Sequence, residues 1–168
     1  MKRLFAALFA TALGAAVAAP SAFAADDSKE FIEKAVRGNV AEVKLGELAE
    51  KQAKSGQVKT LGQTLQTDHA KALERSEGIA KDMGLNVTRE PMKDAKETYD
   101  RLAKLSGAEF DKAFIKAAIE DHEKDVELYS EQAEDGENKK VAEYVEVTLP
   151  ALKRHLDMAR KLQGNQGN

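Results

Sequence analysis

The sequence predicts an all-α protein: an antiparallel four-helix bundle with a long crossover between its second and third helices. Three observations carry this expectation. Apolar residues recur at spacings of three and four along four long stretches, the period of helices that each bury one face. No stretch alternates apolar and polar residues with period two, so no sheet is expected. Two of the three connections are tight and contain glycine, whereas the middle one runs for about 22 residues, more than a structureless loop usually does.

The chain opens MKRLFAALFATALGAAVAAPSAFA. Lys2 and Arg3 precede an apolar run from Leu4 to Ala19, and Ala22-Phe23-Ala24 offers a small-x-small cleavage pattern. This reads as a secretory leader over residues 1–24, too short and alanine-rich for a spanning helix. Setting those 24 residues aside leaves 144 of 168, enough for one domain, expected at 25–163 with a frayed polar tail at 164–168.

The first helix follows Asp26-Asp27-Ser28, a fair N-cap, and its stripe is Phe31, Ala35, Asn39, Val43, Gly46, Ala49 and Ala53. Ser55-Gly56 stops it. The second runs from Gln57 to Met83 on Val58, Leu61, Leu65, Ala72, Ile79 and Met83, with Gly84 as its stop. The middle connection holds Pro91 and a short helix near Lys93 to Leu105. The third long helix starts after Ser106-Gly107 and closes at Asp135-Gly136. The fourth, Asn138 to Leu162, is patterned by Val141, Val145, Leu149, Leu152, Leu156 and Ala159, and Pro150 inside it is expected to kink it. A crossover that spans the bundle makes the second and third helices parallel, the ferritin-like topology. An up-down-up-down bundle with a loose middle loop is the alternative.

Composition narrows the function. The leader carries two basic and no acidic residues, so the remainder holds 24 basic against 29 acidic residues, a net charge of −5. Without a basic cluster, nucleic acid and anionic membrane surfaces are poor partners. The chain has no cysteine. That removes disulfides, thiol catalysis, zinc–thiolate and iron–sulfur sites, and a lipoprotein anchor. The expected location is periplasmic or secreted, with no membrane insertion once the leader is removed. Protein partners are unspecified, and a homo-oligomer is open.

Two near-identical tetrads, DHAK at Asp68–Lys71 and DHEK at Asp121–Lys124, use two of the three histidines. At 100° per residue, His69 falls within roughly 30° of the centre of its apolar stripe, with Asp68 on the flank. On the third long helix His122 and Asp125 lie inside the apolar face and Asp121 at its edge. On the first, Asn39 and Glu42 point inward while Glu33 and Glu47 point away. On the fourth, His155 is inward but off-centre. Glu42 and His69 each sit about 13 residues from the first turn, and His122 about 13 from the second, so all three lie near mid-height. His155, about 19 residues beyond its turn, is expected ~9 Å from that level.

Carboxylate and imidazole groups converging inside a bundle are a usual way to hold a transition metal. Glu42, His69, His122 and His155 are therefore the candidate ligands, with Asp68, Asp121 and Asp125 behind them. Zinc, copper or iron are the candidate metals. The di-iron carboxylate pattern wants glutamate three residues before histidine; here those positions hold Gln66, Ile119 and Leu152. The competing reading is a purely structural polar core, Glu42 bonded to His69, in a non-enzymatic stress or envelope interaction protein. An acid–base enzyme pairing His69 or His122 with an aspartate ranks last, because no nucleophile accompanies them.

The residues also resemble a known family. In order, AEVKLGELAEKQAKSGQVKTLGQTLQTDHAK, LSGAEFDKAFIKAAIEDHEKDVELY and TLPALKRHLDMA are similar to exported bacterial ferritin-like proteins grouped as "domain of unknown function 4142" and often described as outer-membrane proteins. The resemblance spans about Phe31 to Leu162. It implies a ferritin-like bundle, with His69, His122 and His155 as motif histidines and Asp68 and Asp121 beside two of them. It implies no established activity. Barrel strands, which an outer-membrane location would need, are not expected from these residues.

Overall fold

The computed structural model describes residues 22–135 and 138–165. The leader as far as residue 21, Gly136 of the second turn and the last three residues of the tail lie outside the described residues. Among the described residues five helices follow in order: α1 Ala22–Gln52, α2 Gly56–Asp82, α3 Lys93–Leu102, α4 Gly107–Asp135 and α5 Lys139–Asn165. Among the described residues there is no strand, only an isolated parallel bridge between Ala53 and Gly107.

That bridge fixes the topology. It sets the start of α4 beside the turn that joins α1 to α2. The Asp111 carboxylate on α4 accepts the backbone N–H groups of Lys54 at 3.0 Å and Ser55 at 2.9 Å, donors that the start of α2 leaves free. So α2 and α4 leave the same end and run parallel, and the segment between them must cross the length of the bundle. It does so along α1. Arg37 donates to the carbonyls of Glu90 at 3.0 Å and Pro91 at 3.3 Å, and Gln52, about four turns beyond, donates to that of Ala103 at 3.1 Å. The crossover topology holds, and the loose-loop alternative does not. Gly84, at φ +71°, releases the chain into the crossover, while the Leu85 N–H closes α2 on the Ala80 carbonyl at 2.9 Å.

Two boundaries differ from the sequence expectation. α1 starts at Ala22, so Asp26, Asp27 and Ser28 lie within it rather than capping it; the alanines upstream are strong helix formers and extend it. α5 keeps Pro150 inside it, as expected, and ends at Asn165, three residues beyond the expected Leu162.

The core is in two apolar halves. Leu45, Leu48, Leu61, Leu65, Phe110, Phe114, Ile115 and Leu156 fill the end nearer the first turn. Phe31, Ile32, Val36, Ala72, Tyr129, Val141, Val145 and Leu152 fill the other. Between them lies a polar layer of Asn39, Glu42, His69, His122 and His155, none more than 3 % exposed. In the first half α1 and α2 touch backbone to backbone. A Cβ on Gly46 would come within 2.5 Å of the Gly62 carbonyl oxygen, and one on Gly62 within 2.6 Å of the Ala49 Cβ.

Candidate metal centre

Each histidine takes a position that the helical period reserves for an apolar residue. On α2 the buried series is Val58, Leu61, Leu65, His69, Ala72, Ser76 and Ala80; on α5 it passes through Leu152, His155, Leu156 and Ala159. The three rings form a near-regular triangle, with centroids 5.5 Å apart for His69–His122, 5.4 Å for His69–His155 and 5.3 Å for His122–His155. One ring nitrogen from each lies within 4.8 Å of the other two.

Hydrogen bonding decides which nitrogen is which. Asn39 Nδ2 donates to the Ala35 carbonyl at 2.7 Å and to the Tyr144 hydroxyl at 2.9 Å. A carbonyl only accepts, so this fixes the amide orientation and leaves Asn39 Oδ1 as an acceptor. His69 Nδ1, 2.8 Å away, must then carry the proton and donate to it. His122 Nδ1 likewise donates to the Ala118 carbonyl at 2.9 Å. In the neutral rings, both Nε2 atoms are therefore bare lone pairs, and they face each other at 3.4 Å. His155 is turned the other way. Its Nε2 donates to Asp68 Oδ2 at 3.1 Å, and its Nδ1 is buried without a partner.

The rings resist protonation. Burial, then the nearness of His122 and His155, holds His69 well below the usual imidazole range. Burial and His155 push His122 down to about 4. Burial lowers His155 as well, against the pull of Asp68. Asp68 is itself gripped by Arg154 Nη2 at 2.7 Å. Although partial burial pushes it up, His155 and Arg154 hold it below the ordinary carboxylate range.

The structure thus brings His69, His122 and His155 together, with Asp68 behind His155. The expected 9 Å displacement of His155 is corrected. Counted from helix ends, His122 lies 13 residues before Asp135 and His155 16 residues after Lys139, a difference of ~4.5 Å. Side chains lean toward the N-terminus of their own helix, so these two lean toward each other and close the remainder. Glu42 lies outside the three-histidine group. It faces Asp121 and Asp125 instead; as a carboxylate it has no donor at either buried oxygen, and when protonated it donates to the Asp121 carboxylate. Burial, then the Asp121 and Asp125 charges, pushes its carboxyl well above the usual range. Burial and Asp121 push Asp125 up to about 8.

Sequence reasoning did not single out Tyr144, whose hydroxyl meets Asn39 and lies 3.0 Å from the Tyr129 hydroxyl, nor Arg154. Tyr144 lies three residues after Val141 and four before Thr148, on the buried stripe of α5, so the helical period could have found it.

Residues 13–162 match the family described as "Domain of unknown function (DUF4142)". The chain belongs to the DUF4142 family. No functionally curated protein matches this DUF4142 chain. Its fold is shared by two crystal structures of DUF305 proteins. One, a fragment from Deinococcus radiodurans, has TM-score 0.71 and 14 % identity over 84 % of this chain and 95 % of that one. The other, from Streptomyces coelicolor and described as a candidate secreted protein, has TM-score 0.73 and 12 % identity over 86 % and 96 %. At these identities the likeness is one of fold. Among the described residues no helix is long and apolar enough to cross a membrane.

Proposed function

We propose that this DUF4142 protein binds a single d-block cation through His69 Nε2, His122 Nε2 and His155 Nδ1. The observation that carries the reading is the 3.4 Å approach of two unprotonated Nε2 atoms. Two lone pairs at that distance repel unless something positive lies between them. A shared proton is disfavoured, because the rings sit well below their usual range. Two nitrogens each ~2.05 Å from a tetrahedral ion lie ~3.3 Å apart, so those two atoms are already spaced as ligands. The partnerless Nδ1 of His155 supplies the third lone pair. Asn39, the Ala118 carbonyl and Asp68 orient the rings from behind, as outer partners of metal-bound histidines do.

Three neutral imidazoles suit zinc, copper, nickel or iron. Three protein ligands leave a fourth position for water or another group. We place the protein outside the cytoplasm, in envelope or stress physiology, on the strength of the basic start, apolar run and small-x-small motif of residues 1–24. There it would hold or buffer the cation, with no substrate chemistry required. Titration of the chelator-stripped protein with zinc, copper and cobalt tests the reading. Tight one-to-one binding that disappears in the triple His→Ala variant is expected; equal binding by that variant sinks it.

A further inference from the structure

A cleft of about 180 Å³ opens between α1, α3 and α4. On α4 it is lined by Asp121 and Asp125, which are four residues apart and so share one face. Asp94 at the start of α3 adds a third carboxylate, against Lys34 and Lys124. On α1 it is lined by Gly38, where an added Cβ would meet nothing within 4 Å. One turn further along α1 is Glu42, 1 % exposed, with no donor to either oxygen and only the Asp121 and Asp125 carboxyls facing it. A buried carboxyl with no donor is costly and calls for a cation or proton. Asp121 is followed directly by His122. The carboxyls therefore run from the cleft lining to the buried Glu42, which shares the polar layer with the histidines, and the Asp121 charge reaches His122.

A second cleft, of about 260 Å³, reaches Asp68 between α2 and α5. Its charge is opposite. Lys71, Arg75 and Arg154 line it against the single carboxylate of Asp68, and that carboxylate is already bonded to Arg154 and His155. A cation is repelled there; in the first cleft it meets three carboxyls against two ammonium groups, and Asp125 gives up its proton to bind it.

We propose that the α1/α3/α4 cleft is the port by which a divalent cation reaches the three histidines, captured by Asp121 and Asp125 and passed inward by Glu42. Hard carboxylate oxygens hold the hydrated ion loosely; the imidazoles, preferred by d-block metals, take it from them. The port rests on the three-histidine reading, and rates distinguish the two where end-points alone do not.

The test is stopped-flow loading of cobalt(II) chloride into purified, chelator-stripped full-length protein, read by the absorption bands of four-coordinate cobalt. The variants are Asp121→Asn/Asp125→Asn, Glu42→Gln and, at the other cleft, Arg75→Gln, each checked for native helix content by circular dichroism. We expect both port variants to reach the wild-type end-point spectrum roughly 10-fold more slowly or worse, since charge steering changes on-rates by that order. Arg75→Gln should load at the wild-type rate, and added salt should slow the wild type. Port variants that load at the wild-type rate overturn the port, as does faster loading by Arg75→Gln. A changed end-point spectrum in Glu42→Gln makes Glu42 a resident ligand and overturns its role in transfer. If the wild type develops no cobalt bands, the three-histidine reading falls and the port with it.

Discussion

His69 Nε2 and His122 Nε2 point at each other across 3.4 Å, and neither has a proton to give the other. The polar layer is thus complete on its outer side and incomplete at its centre. Each ring is tied down through its second nitrogen, to Asn39 or to the Ala118 carbonyl, and this fixes the face it presents to its neighbour.

Replacing His122 by glutamine should separate stability from binding. The Gln amide can donate to His69 Nε2 where imidazole only opposes it. In the metal-free protein, His122→Gln should raise unfolding free energy by about 1 kcal/mol, the net worth of a typical hydrogen bond. Zinc affinity should fall by more than the roughly 10- to 100-fold that losing an outer partner costs. Urea unfolding in the presence of a chelator, alongside a zinc competition assay, checks both signs; a destabilised apo variant contradicts the lone-pair assignment.

Asn39→Ala removes the acceptor that holds His69 in its tautomer. Metal affinity should drop roughly 10- to 100-fold. The bereft Nδ1–H and Tyr144 hydroxyl should cost about 1–3 kcal/mol in the apo protein. If affinity survives while stability falls, Asn39 is a packing residue alone.

Asp68→Ala leaves His155 Nε2–H without its acceptor, and the same order of affinity loss is expected. Loss of the exposed partner Arg154 alone, by Arg154→Gln, should change zinc affinity less than threefold, since a half-exposed ion pair contributes ~1 kcal/mol or less. Equal losses from the two variants would place the effect in charge and not in the His155 bond.

The pH dependence of the apo protein has two opposed parts. Glu42 and Asp125 have folded pKa values above their unfolded ones, Asp125 at about 8. Unfolding releases their protons, so the stability they supply is full below the unfolded carboxylate range and is lost as pH rises toward 8. The histidines are shifted the other way, His122 to about 4. Unfolding takes up their protons between about pH 6.5 and 4, so their share is lost as pH falls through that window. Below 6.5 the two parts offset each other. Between 6.5 and 8 only the carboxyls act, and apo stability should fall by about 1–2 kcal/mol for each of the two. Asp125→Asn should flatten that slope in urea titrations; an unchanged slope refutes the assignment of Asp125.

Gly46→Ala or Gly62→Ala should destabilise by about 1–3 kcal/mol, the range for overfilling a close contact. The atoms met are backbone and the Cβ atoms of Gln66 and Ala49, which cannot swing aside. A thermal melt showing no loss would mean that α1 and α2 can separate at little cost.

The helices were legible because burial of one face imposes a period of 3.6 on the residues themselves, and Gly84 marked a real stop. The crossover was legible from loop length, since a connection of that size beside two tight turns has to traverse something. His69 and His122 stood out as imidazoles on apolar stripes. His155 was misjudged in height, because counting along backbones ignores residues spent in the turn and the lean of side chains. The bond from Asn39 to His69, and its extension to Tyr144 and Tyr129, joins four helices. Such a link depends on rotation of each helix about its axis, which sequence period fixes only to tens of degrees. The same uncertainty kept the sequence from telling whether Glu42, correctly placed inward, faced the histidines or Asp121 and Asp125.

The polar layer between two apolar halves also works as a keyway for assembly. Sliding one helix by a turn, ~5.4 Å, would push an imidazole or the Asn39 amide in among leucines and phenylalanines and strip it of its bond. Four greasy cylinders could otherwise mate at several heights with similar burial. Here only one alignment returns His69 to Asn39 and His155 to Asp68.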